Sequence, residues 1–323
     1  MTIATEPNPA ALSPDDPGVR DANKKAKKDA WLRRGPLLPA LAFTIVVTQI
    51  PFVLTVIFSF RAYNTNRPDR YGWAGFANYK KVFTDPTILK DIFNTVVLVI
   101  GVVGISLILG LGIALLLNRK FWGRGAVRTM MIAPFLVVPT AAALFWKFGM
   151  FDPNTGLING AITSVHRLFV GQEAPATSID FIGPHPMLAV QIALIWQWTP
   201  FMTLILLAGL QSRPGDILEA AAVDGATPWQ VFIHLTLPHM RQYLELAGML
   251  GSIYILQVFD MIFVLTPLNP QTENLPNLIY QTVYSANDYG LASAQGVVIV
   301  ILTIIVATFA LRTVSSLSKE ENA

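Results

Sequence analysis

The sequence predicts an all-α membrane protein of six transmembrane helices, and three observations carry that prediction. Of 323 residues, 53% are hydrophobic and only 13% are charged, with a mean hydropathy of +0.51. That is more apolar surface than one water-soluble core can hide. The apolar residues fall in runs long enough to cross roughly 30 Å of hydrocarbon, which takes about 20 residues of helix. Polar stretches marked by Pro and Gly separate these runs. Cysteine is absent, which excludes disulfides, thiolate metal sites and cysteine nucleophiles. The net charge of +3 and the pI near 9.1 come from Lys and Arg beside the apolar runs. That placement fits a protein oriented in a lipid bilayer and not one that binds nucleic acid.

Residues 1–35 carry Pro7, Pro9, Pro14 and Pro17, then Lys24, Lys25, Lys27, Lys28, Arg33 and Arg34, with little to bury. They read as a disordered tail ending in a basic anchor. The run Leu37 to Phe60 is too long for a signal-peptide core and lacks a small-residue cleavage site, so it is a retained span. The next spans are expected at Ile92 to Leu117, Ala126 to Phe148, Met187 to Leu210, Tyr243 to Thr266 and Gln295 to Leu311. The membrane region is therefore 36–315, with a loop at 211–242 and a C-terminal tail at 316–323. The basic tail, together with Arg119, Lys120, Arg124 and Arg128, places both termini in the cytoplasm. The loop from Arg61 to Asp91, with Arg61, Arg67, Arg70, Lys80, Lys81 and Lys90, runs against that assignment. Pro134, Pro139 and Pro200 are expected to kink or break helices. Gly101, Gly104, Gly110 and Gly112 are expected to let helices approach.

The segment from Arg213 to Pro238 encodes two short helices. Asp216 can cap the first, with Glu219 three residues on, and Gly225 stops it. Thr227 can cap the second, Pro228 sits where a missing N–H costs nothing, and Gln230 holds the third position of a capping box. Pro238 marks the return to the membrane. A mere connector needs neither internal caps nor the run Ala220-Ala221-Ala222, so the segment reads as a docking surface. Taken singly, Glu219 and Gly225 also read as nothing more than a cap and a stop.

These residues resemble the EAA loop of ATP-binding-cassette (ABC) importer permeases: Glu-Ala-Ala, three residues, Gly, nine residues, Ile, one residue, Leu-Pro. Glu219, Ala220, Ala221, Gly225, Leu237 and Pro238 match at that spacing, and Leu235 replaces Ile. The resemblance implies the type I importer permease fold, in which the first short helix is a coupling helix seated in a separate ATPase. Ala220, Ala221 and Ala222 would permit close seating, Glu219 would make a charged contact or fix the helix, and Gly225 would supply the turn. It further implies a second, similar permease, two copies of the ATPase that bind ATP and Mg, and an extracytoplasmic sugar-binding protein, all at a bacterial cell membrane. The chain itself has no Gly-x-x-x-x-Gly-Lys-Ser/Thr loop to cradle ATP phosphates. It is read as a transport subunit without enzymatic activity or cofactor of its own.

Further segments resemble the carbohydrate branch of that family. They are Gly75-Phe76-Ala77-Asn78-Tyr79, Asp85-Pro86, Asn94-Thr95, the stretch Phe259 to Thr266, and the approach to the last span at Tyr280, Tyr289, Gly290, Ala292 and Ala294. Where many relatives have Gly-Gly-Pro after the fifth span, this chain has Pro267-Leu268-Asn269-Pro270. The implied cargo is a carbohydrate, a disaccharide such as trehalose. A sugar needs amides or carboxylates and an aromatic wall. Gln197 between Trp196 and Trp198, with Tyr254, Gln257 and Asp260 along the fifth span, supplies that chemistry. The same four polar residues also read as interhelical hydrogen bonds, or for Asp260 as an interfacial position.

Lys147 is expected to snorkel to the outer interface. His166, His185, His234 and His239 are expected in loops, with the last pair misplaced for a shared metal, so no metal site is predicted. Two other readings compete. An ion-coupled secondary transporter would need intramembrane carboxylates or unwound half-helices, and Asp260 is its one candidate. A non-transporting scaffold would use the cytoplasmic loop alone.

Overall fold

A backbone crossing hydrocarbon must satisfy its N–H and C=O groups internally, so a chain this apolar is committed to helices. The computed structural model describes residues 35–171, 175–176 and 178–320. The expected basic tail lies outside the described residues up to position 34. Two compact units meet between Ile57 and Phe58. To the first belongs nearly all of helix α1 (Gly35–Ser59), most of whose apolar side chains are exposed.

The second unit opens with a two-stranded ribbon, β1 (Arg61–Ala62) antiparallel to β2 (Gly72–Trp73), and helix α2 (Ala77–Thr84). Helix α3 (Pro86–Asn118) starts where Asp85 accepts from the Thr87 N–H at 2.9 Å and Pro86 takes the first turn. Then come α4 (Arg124–Leu136) and α5 (Pro139–Met150), α6 (Leu157–Val170) and α7 (Pro186–Gln211). The short α8 (Gly215–Val223) follows, then α9 (Pro228–Val231) and α10 (Leu237–Leu256), joined by a π-turn at Phe232–Thr236. The chain closes with α11 (Asp260–Leu265), α12 (Leu275–Tyr284) and α13 (Tyr289–Glu320).

Among the described residues four helices, α1, α3, α7 and α13, are long and apolar enough to span a membrane, and the pair α4 and α5, bent by 94° at its break, passes the same test of length and composition together. The break follows from Pro139, which forbids the helical conformation at Val138; Val138 has ψ 131. The fifth expected span is likewise not continuous. It is α10 and α11, interrupted at Gln257, Val258 and Phe259. The last span begins earlier than Gln295 and runs helical through Glu320, into the expected C-terminal tail.

The core forms where α3, α7 and α10 pack together, around the fully buried Leu98, Val102, Leu194, Met202 and Ile255. Two of the four glycines on α3 serve close approach. A Cβ at Gly101 would sit 2.4 Å from Gln191, and one at Gly110 3.2 Å from the Thr203 backbone, whereas Gly104 and Gly112 face open space. A smaller apolar cluster of Val82, Ile88, Leu291, Ala294 and Val298 seats α2 and α13 against the start of α3. The segment Gly75 to Tyr79 earns its sequence there. The Asn78 amide donates to the Ser59 and Arg61 carbonyls, both at 2.9 Å, and the Tyr79 hydroxyl meets Ser59 Oγ at 2.6 Å.

Candidate translocation cavity and coupling loop

Where the two broken helices face α7, a cavity of about 320 Å³ opens. Its lining includes Gln197, Tyr254, Gln257 and Asp260, so the four polar candidates converge on one space. The breaks create it, and each break frees backbone carbonyls that need donors. Gln197, 4% exposed, donates its amide to the Val137 carbonyl at 3.1 Å, filling the gap between α4 and α5. The buried Asn274 donates to Val258 O at 2.7 Å and Asn277 to Phe259 O at 3.3 Å, filling the gap between α10 and α11. Asn274 also caps α12, accepting from the Asn277 N–H at 3.2 Å.

The two short helices beyond the breaks are tied side by side. Thr140 Oγ1 donates to Asp260 Oδ1 at 2.9 Å, and Lys147 Nζ donates to the Val264 carbonyl at 2.8 Å. Lys147 therefore does not snorkel as expected. Its ammonium serves a carbonyl at the C-terminal end of α11, where a cation is favoured. An aromatic wall completes the cavity: Trp198 lies 5.2 Å from Tyr254 and 5.5 Å from Phe135 between ring centroids. Trp196 is turned elsewhere, 5.8 Å from Trp146, because residues two apart on a helix point about 200° apart. Gln197 and Asp260 thus carry the expected bonds between helices and line the cavity at once.

The loop between α7 and α10 is built by two consecutive stop and start signals. Gly225 adopts φ +74, the Ala226 N–H reaches the Ala221 carbonyl at 3.0 Å, and the Gly225 N–H reaches Ala222 O at 3.2 Å. This is a full Schellman stop, which needs a left-handed residue at that position. Two residues later Thr227 and Gln230 form the reciprocal capping box, Thr227 N–H to Gln230 Oε1 at 2.8 Å and Gln230 N–H to Thr227 Oγ1 at 3.4 Å. Asp216 does not cap α8. The helix starts one residue before it, with Pro214 at the cap and no side-chain bond, so the carboxylate sits inside the first turn. The second helix is also not short. It continues from Pro228 through the π-turn into α10, and the Leu237 N–H bonds five residues back to Phe232 O. That widening accommodates Pro238, which lacks an N–H and whose ring crowds the carbonyl four residues before it.

None of α8 is buried. Glu219, Ala220 and Ala222 are exposed, Ala221 is half-buried, and Val223 and Trp229 stand out with them. The base of the loop is clamped by groups the sequence reading passed over. Arg213 Nη1 donates to Thr236 Oγ1 at 2.6 Å, Ser212 Oγ meets Tyr243 OH at 2.7 Å, and His239 Nε2 lies 3.1 Å from the Gly209 carbonyl. Gly209 is required there, because a Cβ would fall 2.4 Å from the Tyr243 ring. The i, i+4 spacing of His239 and Tyr243 was the available signal, since it puts both on one helix face. His239, His234 and His166 are in helical segments and not in loops; His185 alone holds the expected position, at the cap of α7.

Interrupted helices around a polar and aromatic cavity, with a stiffly capped helical loop hung between two spans, define a membrane transport permease. Residues 104–317 match the family described as the binding-protein-dependent transport system inner membrane component. The trehalose/maltose transport system permease protein MalF of Thermococcus litoralis is 33% identical, across 87% of this chain and 93% of that protein. The trehalose transport system permease protein SugA of Mycobacterium tuberculosis is 31% identical, across 81% of each. A chain from the crystal structure of a bacterial ABC transporter that imports the acidic polysaccharide alginate superposes with a TM-score of 0.74 at 22% identity, covering 91% of this chain and 99% of that one. The chain belongs to the binding-protein-dependent transport system inner membrane component family, the permease subunits of ABC importers, and has their type I fold.

Proposed function

We propose that this chain is the permease subunit of an ATP-driven importer whose cargo is a carbohydrate, a disaccharide such as trehalose. The observation that carries the reading is the convergence of Gln197, Tyr254, Gln257 and Asp260 with Trp198 in one cavity at the helix breaks. Amides and a carboxylate suit sugar hydroxyls, and the indole and phenol faces suit the apolar side of a pyranose ring. The names of the MalF and SugA relatives support the carbohydrate class.

In this reading a second permease supplies the facing half of the pathway, and an extracytoplasmic binding protein delivers the sugar. ATPase subunits carrying ATP and Mg take α8 as the coupling helix, with both termini of this chain on the cytoplasmic side. Glu219, Ala220, Ala221, Ala222 and Gly225 form the seated surface, and Leu237 and Pro238 mark where the loop passes into α10. The Arg213–Thr236 and Ser212–Tyr243 contacts pass a displacement of α8 to α7 and α10, the two helices that line the cavity. The broken helices also suit an ion-coupled carrier. Against that alternative, the carbonyls freed at Val137, Val258 and Phe259 are occupied by side-chain amides.

The absence of cysteine makes a direct test simple. A single Ala222→Cys substitution, reacted with a short bifunctional crosslinker in native membranes, should join this chain to an ATPase subunit. A complex that retains the ATPase but gives no adduct from Ala222→Cys or Val223→Cys contradicts the coupling assignment.

A further inference from the structure

Sugars reach cells uncharged, carboxylated or phosphorylated, and membership of a sugar-importer family does not choose among them. The alginate importer of similar fold handles an acidic polysaccharide. Here the cavity lining differs in kind from what an anion needs. Among the described residues it contains one formally charged group, Asp260, and no Lys, Arg or His. The Lys147 ammonium on α5 is spent on the Val264 carbonyl, one helical turn beyond Asp260. Thr140, the side chain that donates to Asp260 Oδ1 at 2.9 Å, is a neutral hydroxyl and brings no positive charge beside it. The rest of the wall is aromatic, amide and aliphatic: Trp198 and Tyr254 offer ring faces whose quadrupole is negative at the centre, and Gln197 and Gln257 are neutral.

We propose that this cavity is a charge filter in which Asp260 is the specificity-determining residue, admitting uncharged carbohydrates and rejecting those that carry a carboxylate or phosphate. The proposal rests on the reading of the cavity as the sugar pathway. A second anion brought beside Asp260 in a space of about 320 Å³ meets no donor of full charge from the described residues that line this chain's side of it. Repulsion of like charges is much stronger in such partly dehydrated surroundings than in water. A neutral sugar loses nothing to this and gains an acceptor for two hydroxyls.

The test uses the purified transporter complex without its binding protein, so that selection upstream is removed. Trehalose and trehalose 6-phosphate share a skeleton and differ by one phosphate. Their binding is read from quenching of intrinsic fluorescence, with Trp198→Phe identifying the cavity component. The proposal expects trehalose to bind at least tenfold more tightly than its 6-phosphate, and Asp260→Asn to shrink that ratio at least tenfold. Equal binding of the two probes to the wild type, or the same ratio with and without the carboxylate, overturns it. Should Asp260→Asn fail to assemble, the wild type decides alone through a trehalose whose 6-hydroxyl carries a neutral acetyl ester. Binding of the ester close to that of trehalose keeps charge as the excluded property, whereas rejection of the ester as strong as that of the phosphate means that bulk is what is excluded and the filter is wrong. Absence of cavity quenching by trehalose, maltose and sucrose alike is a different result, which overturns the sugar-pathway reading itself and the filter with it.

Discussion

Arg213 Nη1 donates to Thr236 Oγ1 across 2.6 Å, closing the loop between α7 and α10 at its base. Arg213 stands between α7 and α8, and Thr236 is the last residue of the π-turn that leads into α10. Burial lowers the guanidinium's affinity for its proton, yet this bond and the one from Thr236 Oγ1 to the Val231 carbonyl at 3.3 Å form a chain across the loop. Charge-assisted bonds of this kind contribute about 1.5–3 kcal/mol. Arg213→Ala and Thr236→Val should therefore each lower sugar-stimulated ATPase relative to basal ATPase, by about tenfold on that energy scale, with the complex still assembled. The double variant should be no worse than the poorer single one. ATPase assays of the purified complexes, with and without sugar and binding protein, measure this.

Asn274 performs two tasks with one side chain, donating to Val258 O and accepting at the start of α12. Asn274→Asp keeps the capping acceptor and loses the donor, leaving a buried carbonyl unpaired at about 1–3 kcal/mol. Asn274→Ala loses the cap as well, about 1 kcal/mol more if the two losses add. Thermal unfolding in detergent should rank wild type above both variants by several degrees. A variant as stable as wild type would show that the break between α10 and α11 needs no such donor.

Leu268 occupies the left-handed region at φ 56, in the turn where the Asn269 N–H meets Thr266 O at 3.3 Å. Pro267 takes the second position of that turn, so Leu268 fills the third, the place where a type II turn calls for glycine. The strain is about 1–2 kcal/mol, and a glycine there gives back about 0.5–1 kcal/mol through the freer unfolded chain. With Leu268 74% exposed, little burial is lost. Leu268→Gly should raise the unfolding temperature slightly, and a fall would mean that the leucine makes a contact within the assembled transporter.

Glu273 lies in the loop before α12, where burial pushes its carboxyl above the ordinary 4.5 and a hydrogen bond from the Gln281 amide opposes that rise. Asp91 is within electrostatic reach of it. An acid raised in the folded state adds stability that is complete below its unfolded value and is lost as pH climbs through the folded value. Stability of this region should therefore decline as pH rises above about 4.5. Glu273→Gln should flatten that decline. Unfolding temperatures measured from pH 4 to pH 8 for both proteins check the sign.

The helical membrane class and the stop and start of the loop between α7 and α10 were legible in the sequence because each rests on local rules. Apolar run length specifies spans, while Gly225, Thr227, Pro228 and Gln230 specify a stop and a start within six residues. The polar cavity residues were legible as chemistry, since Gln197 and Asp260 are costly in hydrocarbon wherever they sit. The breaks were not fully legible. Pro139 announced one, but the interruption at Gln257 to Phe259 has no proline, and the buried amides of Asn274 and Asn277, some 16 to 18 residues away in sequence, supply the donors it needs. The Lys147 bond to Val264 was hidden for the same reason: a partner 117 positions distant leaves no periodic trace. Asp216 misled because it satisfies the composition rule for a cap while Pro214 sets the actual helix start.

The central claim is that α8 couples ATP hydrolysis elsewhere to sugar passage through the cavity beneath Trp198. The most direct measurement is sugar uptake per ATP hydrolysed in proteoliposomes holding the complete complex and its binding protein, for wild type, Glu219→Ala and Gly225→Val. Glu219 is exposed on α8, and a β-branched residue at φ +74 deforms the stop. The account predicts ATP-dependent uptake of a neutral disaccharide by the wild type and an uptake-to-hydrolysis ratio at least tenfold lower in both variants. Wild-type ratios in both variants, with the complexes intact, would contradict it.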